Sequence, residues 1–194
     1  MKPAFEGIMY PFDAKASVLQ GLERISANLS GFYAAEVPHS AWELSREELD
    51  GVFKKASRMS FTNIFFLSPL HKGPLSYESS ENSEIFDGPV FAPSDGRLCG
   101  SDWKINLNIP FVFKNLLNIS DDVCSEEAGL EIVSPYLAAL FPDIPVSAFF
   151  AYADSPVLRR IVKIIKKDFP CSLILLSNNK NTGCAGMWKE ALEI

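Results

Sequence analysis

The sequence predicts an α/β fold in which a mostly parallel central sheet lies between two layers of helices, a three-layer α/β/α arrangement. Short apolar runs of strand length alternate along the chain with longer segments whose apolar residues recur at the helical period. No internal repeat or linker-like segment interrupts this alternation. We therefore expect residues 1–194 to form a single domain.

The composition excludes several classes of protein. Of the 194 residues, 47% are hydrophobic and 22% are charged, and the formal net charge is -6. Such an acidic chain is a poor match for nucleic acid or an anionic membrane as the main partner. No apolar run approaches the roughly 20 residues of a membrane span, and the N-terminus lacks the apolar run of a signal peptide. We expect a cytoplasmic protein without a nucleic-acid or membrane partner, and the sequence leaves its oligomeric state open.

The absence of two common sequence motifs argues against two kinds of function. The sequence has neither a Gly-rich phosphate loop nor a Gly-x-Ser-x-Gly elbow, so nucleotide binding of the usual kinds and serine hydrolase chemistry are unsupported. The cysteines are widely spaced, which excludes a disulfide scaffold and the zinc ribbons and fingers. They are Cys99, Cys124, Cys171 and Cys184.

One apolar run organises the predicted sheet. Four consecutive large apolar residues, Ile64 to Leu67, are typical of a short strand buried on both faces. Because Pro69 has no amide hydrogen for a sheet ladder, the strand should end there and place His71 in the loop beyond it. Ligands of open parallel sheets bind at that carboxyl edge.

The second of the two histidines, His39, has an equivalent setting. Residues 32–37 predict a strand, and Pro38-His39 follow it directly. One amphipathic helix lies between this strand and the strand ending near His71, and a right-handed crossover of that kind makes the two strands parallel and often adjacent. Both imidazoles would then emerge at one edge of the sheet. A shared site and two unrelated loop histidines both remain open.

The helix between these strands is predicted to start with a capping box formed by Ser45 and Glu48. The preceding loop, residues 40–44, would then lie beside His39 at a helix N-terminus, where a negatively charged or oxyanionic ligand is favoured. Trp42 in that loop either lines the site or covers the edge of the core, and the second interpretation is favoured.

The remaining elements follow from apolar periodicity and from turn residues. The predicted helices are residues 13–30, with Asp13 as N-cap, 109–117, opened by Pro110, a long helix from Ser125 that Pro135 should kink or divide, 155–167, and a tail at 185–194. The predicted strands are 146–151 and 171–176, and residues 89–92 and 97–99 are expected to form a hairpin. A polar, serine-rich loop is expected at 72–82.

Five short segments carry a resemblance to a known family: Pro3–Pro11, Pro38–Trp42, Phe66–His71, Glu126–Glu131 and Leu176–Asn179. In this order they resemble motifs of the Memo-like family (AmmeMemoRadiSam system protein B), in which the last four read Pro-His-Ala-Gly-Tyr, Gly-Pro-Ser-His, Glu-His-Ser-Leu-Glu and Ser-Ser-Asp. Each motif is short, but together they run from residue 3 to about residue 180, which is nearly the whole chain.

The resemblance implies a fold like that of the class III extradiol ring-cleaving dioxygenases, with a metal-binding pocket at the sheet edge. His39 and His71 match the family's two metal-binding histidines, and a third ligand follows the last strand. The implied metal is iron or copper, and zinc stays open. The residues expected to line the pocket are Trp42, Ser68, Glu127, Asn178, Asn179 and Asn181. AMMECR1-like and radical-SAM proteins are the partners that the resemblance implies.

The chain also departs from the family pattern. The helical histidine is Ala128 here, the aspartate of Ser-Ser-Asp is Asn179, and the third ligand falls on Asn181 unless a three-residue shift brings in Cys184. Glu126 and Glu127 are the other candidates for that ligand, although acids in the first turn of a helix are commonly dipole partners. The sequence also ends before the family's C-terminal segment.

Two hypotheses follow. The chain is either a Memo-like protein that binds a transition metal through His39 and His71 and does redox or oxygen chemistry, or a catalytically degenerate scaffold or ligand- or peptide-binding module without metal chemistry. Ring opening of catechols is not expected, because the acid-base set is incomplete.

Overall fold

The computed structural model describes residues 1–22, 29–38, 40–70, 89–151 and 155–178. The helices are α1 (Ala14–Gly21), α2 (Trp42–Ala56), α3 (Asp121–Ser125), α4 (Ala128–Leu140) and α5 (Pro156–Asp168), with a 3-10 helix at Phe111–Leu116. The strands are β1 (Leu29–Ser30), β2 (Tyr33–Pro38), β3 (Met59–Ser60), β4 (Asn63–Pro69), β5 (Val90–Ala92), β6 (Gly96–Cys99), β7 (Lys104–Leu107), β8 (Leu117–Ile119), β9 (Val146–Ala151) and β10 (Ser172–Asn178).

A mostly parallel sheet forms the centre of the fold, as the sequence predicts. Strands β2, β10, β4 and β9 lie side by side in that order and are all parallel. On the far side of β9, β5 pairs with it antiparallel and β7 pairs with it parallel, while β8 and β6 extend the sheet from β5 and β7. The short strands β1 and β3 form a separate parallel pair.

Helices cover both faces of the sheet because its central strands are apolar on both sides. On β4, Ile64 and Phe66 pack in one core cluster with residues of α1, α2 and α4. Phe65 and Leu67 point to the opposite face and pack with α5 and the 3-10 helix. Burying each side chain of this size contributes about 1.5–3 kcal/mol, so the two faces of β4 hold the layers together.

The elements with strong end signals form where the sequence predicts them. Strand β9 has the predicted bounds, and β4 ends at Pro69, which has no amide hydrogen to donate to the ladder. Helix α5 begins with Pro156 after its N-cap Ser155, and its last turn carries Lys166 and Lys167. These cations suit the negative end of the helix dipole.

The predicted adjacency of the two strands before the histidines is wrong in one respect. Strands β2 and β4 are parallel, but β10 lies between them and pairs with both. Consecutive strands are neighbours in only about two-thirds of cases, and here a strand from more than 100 residues further along the chain is inserted.

The first helix is shorter than predicted. Helix α1 ends at Gly21, and Leu29 and Ser30 form β1, which pairs with Met59 and Ser60 of β3. The apolar period continues past Gly21, but pairing with a distant strand outweighs the helical preference at the end of this segment.

The capping box predicted for α2 does not form. The helix begins three residues earlier, at Trp42, so Ser45 and Glu48 lie inside it. The Ser45 hydroxyl contacts the Ser40 hydroxyl at 2.5 Å and donates to the Ser40 carbonyl at 3.0 Å. The Trp42 amide donates to the carbonyl of Met9 at 2.7 Å, so the N-terminal segment supplies the acceptor for this helix end.

The hairpin predicted from residues 89–99 is also wrong. Strand β5 joins the central sheet, whereas β6 forms the hairpin with β7. All three residues of β5 are buried, whereas three of the four residues of β6 and every second residue of β7 are exposed. A continuous apolar strand is covered on both faces, and an alternating one suits the periphery of the sheet.

The long helix predicted from Ser125 begins three residues later, at Ala128. Ser125 ends α3, and Glu127 is the N-cap of α4, whose 13 residues are all buried. Helix α4 continues through Pro135, which costs one backbone hydrogen bond but does not divide it. The predicted loop at 72–82 and the predicted tail helix at 185–194 lie outside the described residues.

Candidate functional site

The carboxyl ends of the four parallel strands meet at one edge of the sheet. Pro38 of β2 pairs with Asn178 of β10, and Pro69 of β4 pairs with Ala151 of β9. Leu176 pairs with Leu67, so β10 and β4 also end at the same level. The edge where the sequence places a ligand site is therefore formed by the ends of β2, β10, β4 and β9.

The predicted metal ligands His39, His71 and Cys184 lie outside the described residues, as do Asn179 and Asn181. The residues that directly precede the two histidines are described: Pro38 precedes His39, and Leu70 precedes His71. The backbone there is well anchored, because the Leu70 amide donates to the Ala151 carbonyl at 2.9 Å. For Asn178, the backbone that ends β10 is described and the side chain is not.

Ser68 is a buried polar residue at the end of β4. It is fully buried, and it lies between Phe66 and Leu70 on the sheet face that α1, α2 and α4 cover. Its hydroxyl has no hydrogen-bond partner among the described residues. An unpaired buried hydroxyl costs about 1–3 kcal/mol and is uncommon in proteins. Ser177, which follows the last registered pair of β10 with β4, is also fully buried.

The N-termini of two long helices lie toward the same edge. Helix α2 starts four residues after β2 ends there. Helix α4 runs antiparallel to the strands, because its C-terminal end leads into the start of β9 and the ring of Phe141 packs 5.7 Å from that of Phe61, near the start of β4. Each helix brings partial positive charge to the edge, and the α2 amide of Trp42 is already bonded to Met9.

The two acids before α4 differ in burial. Glu126 is exposed, whereas Glu127 is 3% exposed and its side chain does not cap the helix. Of the two, Glu127 is the one whose carboxylate faces the interior. Ala128, at the position where the resemblance expects a histidine, is buried as the first residue of α4.

Trp42 packs as a core residue at this edge. Its ring lies 5.2 Å from that of Tyr136, and the Arg46 guanidinium lies 5.8 Å from the ring centre. Trp42 is 4% exposed, which suits the interpretation that it covers the core edge. Its indole N–H has no hydrogen-bond partner among the described residues, so this residue also brings an unpaired donor to the edge.

Sequence reasoning missed the role of Glu131 in α4. Its carboxylate is 5% exposed and accepts hydrogen bonds from the amides of Ala4 and Phe5 at 2.7 and 2.9 Å and from the Tyr10 hydroxyl at 3.3 Å. Burial raises the pKa of Glu131 despite these bonds, and burial and Glu131 raise the pKa of Tyr10. An acid inside an apolar helix was the signal that could have found it. Glu131 fixes the N-terminal segment to the sheet-edge end of α4.

The described residues offer no complete metal site of their own. Within residues 1–22, 29–38, 40–70, 89–151 and 155–178, no three His, Cys, Asp or Glu residues are grouped so that they could hold an ion. Three thiols are free: Cys99 is exposed, Cys171 is partly exposed and Cys124 is buried. Burial, followed by the charges of Asp121 and Glu127, raises the pKa of Cys124. A thiol held protonated in this way is a poor metal ligand.

Among the described helices, none has both the length and the apolar composition that crossing a bilayer requires. No protein-family model matches the sequence, and no curated protein matches it.

Proposed function

We propose that this protein binds a transition-metal ion at the carboxyl end of its parallel sheet through His39 and His71, with Cys184 as the third ligand. The observation that supports the proposal best is the common end of β2 and β4, the strands that directly precede the two histidines. Only β10 separates them, so their ends lie about 10 Å apart. Side chains from both ends can approach a shared ion across that distance.

The chemistry of the proposed ligands suits the metal. Two imidazoles with a thiolate match iron, copper or zinc, whereas magnesium and calcium prefer oxygen ligands. An iron or copper ion would supply redox or oxygen chemistry. The Memo-like resemblance leads to the same two histidines, and AMMECR1-like or radical-SAM partners belong to the same proposal.

Most of the described residues near the proposed metal site would line it rather than bind the metal directly. The Ser68 hydroxyl is an unpaired hydrogen-bonding group at the end of β4, and it can orient a polar ligand. Phe150 and Leu70 are buried on the same face and exclude water from it. Glu127 is the buried carboxylate that can replace Cys184 as the third ligand.

Metal content after anaerobic loading tests the proposal. We expect near-stoichiometric iron or copper in the wild type, little in the His39→Ala/His71→Ala variant, and reduced retention in Cys184→Ser. Cys99→Ser is the matched control, because Cys99 is an exposed thiol on β6. Thermal unfolding with and without metal gives a second readout, since an ion that binds only the folded protein raises the Tm. Equal metal content in the wild type and the double variant would contradict the proposal.

The alternative function is a Memo-like scaffold or a ligand- or peptide-binding module without metal chemistry. Ala128 favours it, because the buried first residue of α4 has no ionisable group where the family has a histidine. Absence of metal from wild type and double variant alike would support this alternative.

A further inference from the structure

Helix α5 carries a row of exposed cations on its outer face. Arg159, Arg160, Lys163 and Lys167, called the basic stripe below, are all exposed. At 100° per residue they fall within about one third of the helix circumference, and they extend over about 12 Å. Lys166 lies beside them and is also exposed.

The stripe is held rigidly by the core. The opposite side of α5 packs in the core cluster formed with β4, β9 and β10. That buried side consists of Leu158, Ile161, Val162 and Ile165, each at most 2% exposed. The outer face therefore presents its charges on a fixed support.

The cations of the stripe lack counter-charges within the described part of the chain. Among the described residues, the ion pairs of Arg46 with Asp50 and of Lys114 with Asp95 include no residue of the basic stripe. The helix concentrates cations in a chain whose net charge is -6, so the remainder of the protein is strongly acidic. Arg159 and Lys163, and Lys163 and Lys167, are like charges four residues apart that repel each other, and a bound anion would relieve this repulsion.

The geometry limits which anionic partner fits. A specific nucleic-acid complex buries at least about 600 Å² of protein surface, which is wider than one row of side chains on a helix. On an anionic bilayer α5 could not insert, because its apolar side is used by the core. A single acidic helix matches the stripe in length and in the spacing of its charges. When it lies along α5, its carboxylates come closer to the cations than the Debye length of about 8 Å, so salt screens the attraction only in part.

We propose that the basic stripe of α5 docks an acidic, helical segment of a partner protein through carboxylates spaced along one helix face. This interaction goes beyond the proposed metal site and does not depend on it. The binding is electrostatic, so it is weak and sensitive to salt.

Fluorescence anisotropy with a labelled helical peptide of about 20 residues, carrying a glutamate at every fourth position, tests the proposal. The stripe variant is Arg159→Gln/Arg160→Gln/Lys163→Gln/Lys167→Gln, and glutamine keeps the helical preference. The matched control is Lys54→Gln/Lys55→Gln/Arg58→Gln/Lys104→Gln, which removes equally many exposed cations elsewhere. Circular dichroism checks the folding of both, and the double variant Arg160→Gln/Lys163→Gln replaces the stripe variant if that one unfolds.

We expect about tenfold weaker peptide binding by the stripe variant, a change of less than about twofold in the control, and no binding of the peptide with glutamine in place of glutamate. Raising the salt concentration should weaken wild-type binding. Equal losses in stripe variant and control, or no wild-type binding, would overturn the proposal. Tighter stripe-dependent binding to phosphatidylserine vesicles or to duplex DNA would overturn the choice of an acidic protein.

Discussion

The two ends of the central sheet differ in how their buried serine hydroxyls are hydrogen-bonded. At the amino end, the buried Ser147 hydroxyl of β9 donates to the Asn108 carbonyl at 2.6 Å, and the amides of Thr62 and Ile64 donate to the carbonyls of Cys171 and Pro145. At the carboxyl end, the equally buried Ser68 hydroxyl has no partner among the described residues. Because a folded chain pairs most of its buried polar groups, the unpaired Ser68 hydroxyl is the feature of the carboxyl end that supports our proposal of a ligand site there.

The largest effect that we expect on stability is from Glu131→Ala. This residue sharpens the comparison, because it lies toward the carboxyl end but has three partners, Ala4, Phe5 and Tyr10. Alanine has no side-chain acceptor, so both backbone amides and the tyrosine hydroxyl lose their partner. We expect the free energy of unfolding to fall by about 2–3 kcal/mol at neutral pH, measured by urea denaturation. An unchanged free energy would show that these bonds do not hold the N-terminal segment.

The pH dependence of the Glu131 contribution has a defined sign, and Glu131→Gln is the reference because glutamine does not titrate. Burial holds the folded-state pKa of Glu131 above its value of about 4.3 in the unfolded chain. The carboxyl group therefore contributes stability that is fully present below that unfolded value and is lost as the pH rises through the folded value. Relative to Glu131→Gln, the wild type should lose stability as the pH rises above about 4. The opposite slope would contradict the assigned direction of the pKa.

Ser147→Ala tests the paired end and should have a smaller effect. It removes the donor to the Asn108 carbonyl and leaves no new unpaired atom on the alanine. We expect a loss of about 1 kcal/mol in the free energy of unfolding. Adding or removing metal should not change this loss, because Ser147 lies at the opposite end of the sheet.

Ser68→Ala tests the unpaired end and should have the smallest effect on stability. Removing this unpaired hydroxyl relieves its desolvation cost but leaves a small void in the core. Because the two terms oppose each other, we expect a net change within about 0.5 kcal/mol in the metal-free protein. A loss equal to that of Ser147→Ala would remove the contrast between the two ends.

Local sequence signals predict the helices and strands whose ends they mark. They do not predict how segments far apart in the sequence pair with each other. The apolar run of β4 with Pro69, and Pro156 with the lysines of α5, fix those elements without other parts of the chain. The insertion of β10 between β2 and β4 depends on register between strands far apart in sequence, which no local pattern encodes.

The wrongly predicted hairpin has a similar cause, because the Asp95 side chain in the expected turn is bonded to residues further along the chain. Asp95 accepts from the Ile109 amide at 2.7 Å and from Lys114 at 2.9 Å, so the turn-like sequence before β6 serves contacts made only after folding. At the candidate site, the sequence selected the edge from Pro38 and Pro69. It could not show that Ser68 lacks a partner there, since that depends on what surrounds the hydroxyl.

Cobalt(II) loading followed by visible absorption spectroscopy is the most direct test of a metal site shared by the two histidines. The ligand-field bands of cobalt report the identity and number of its ligands. We predict one cobalt per chain, and bands that change in His39→Ala and, separately, in His71→Ala. Bands that survive both single substitutions, or that change in only one of them, would contradict a site shared by the ends of β2 and β4.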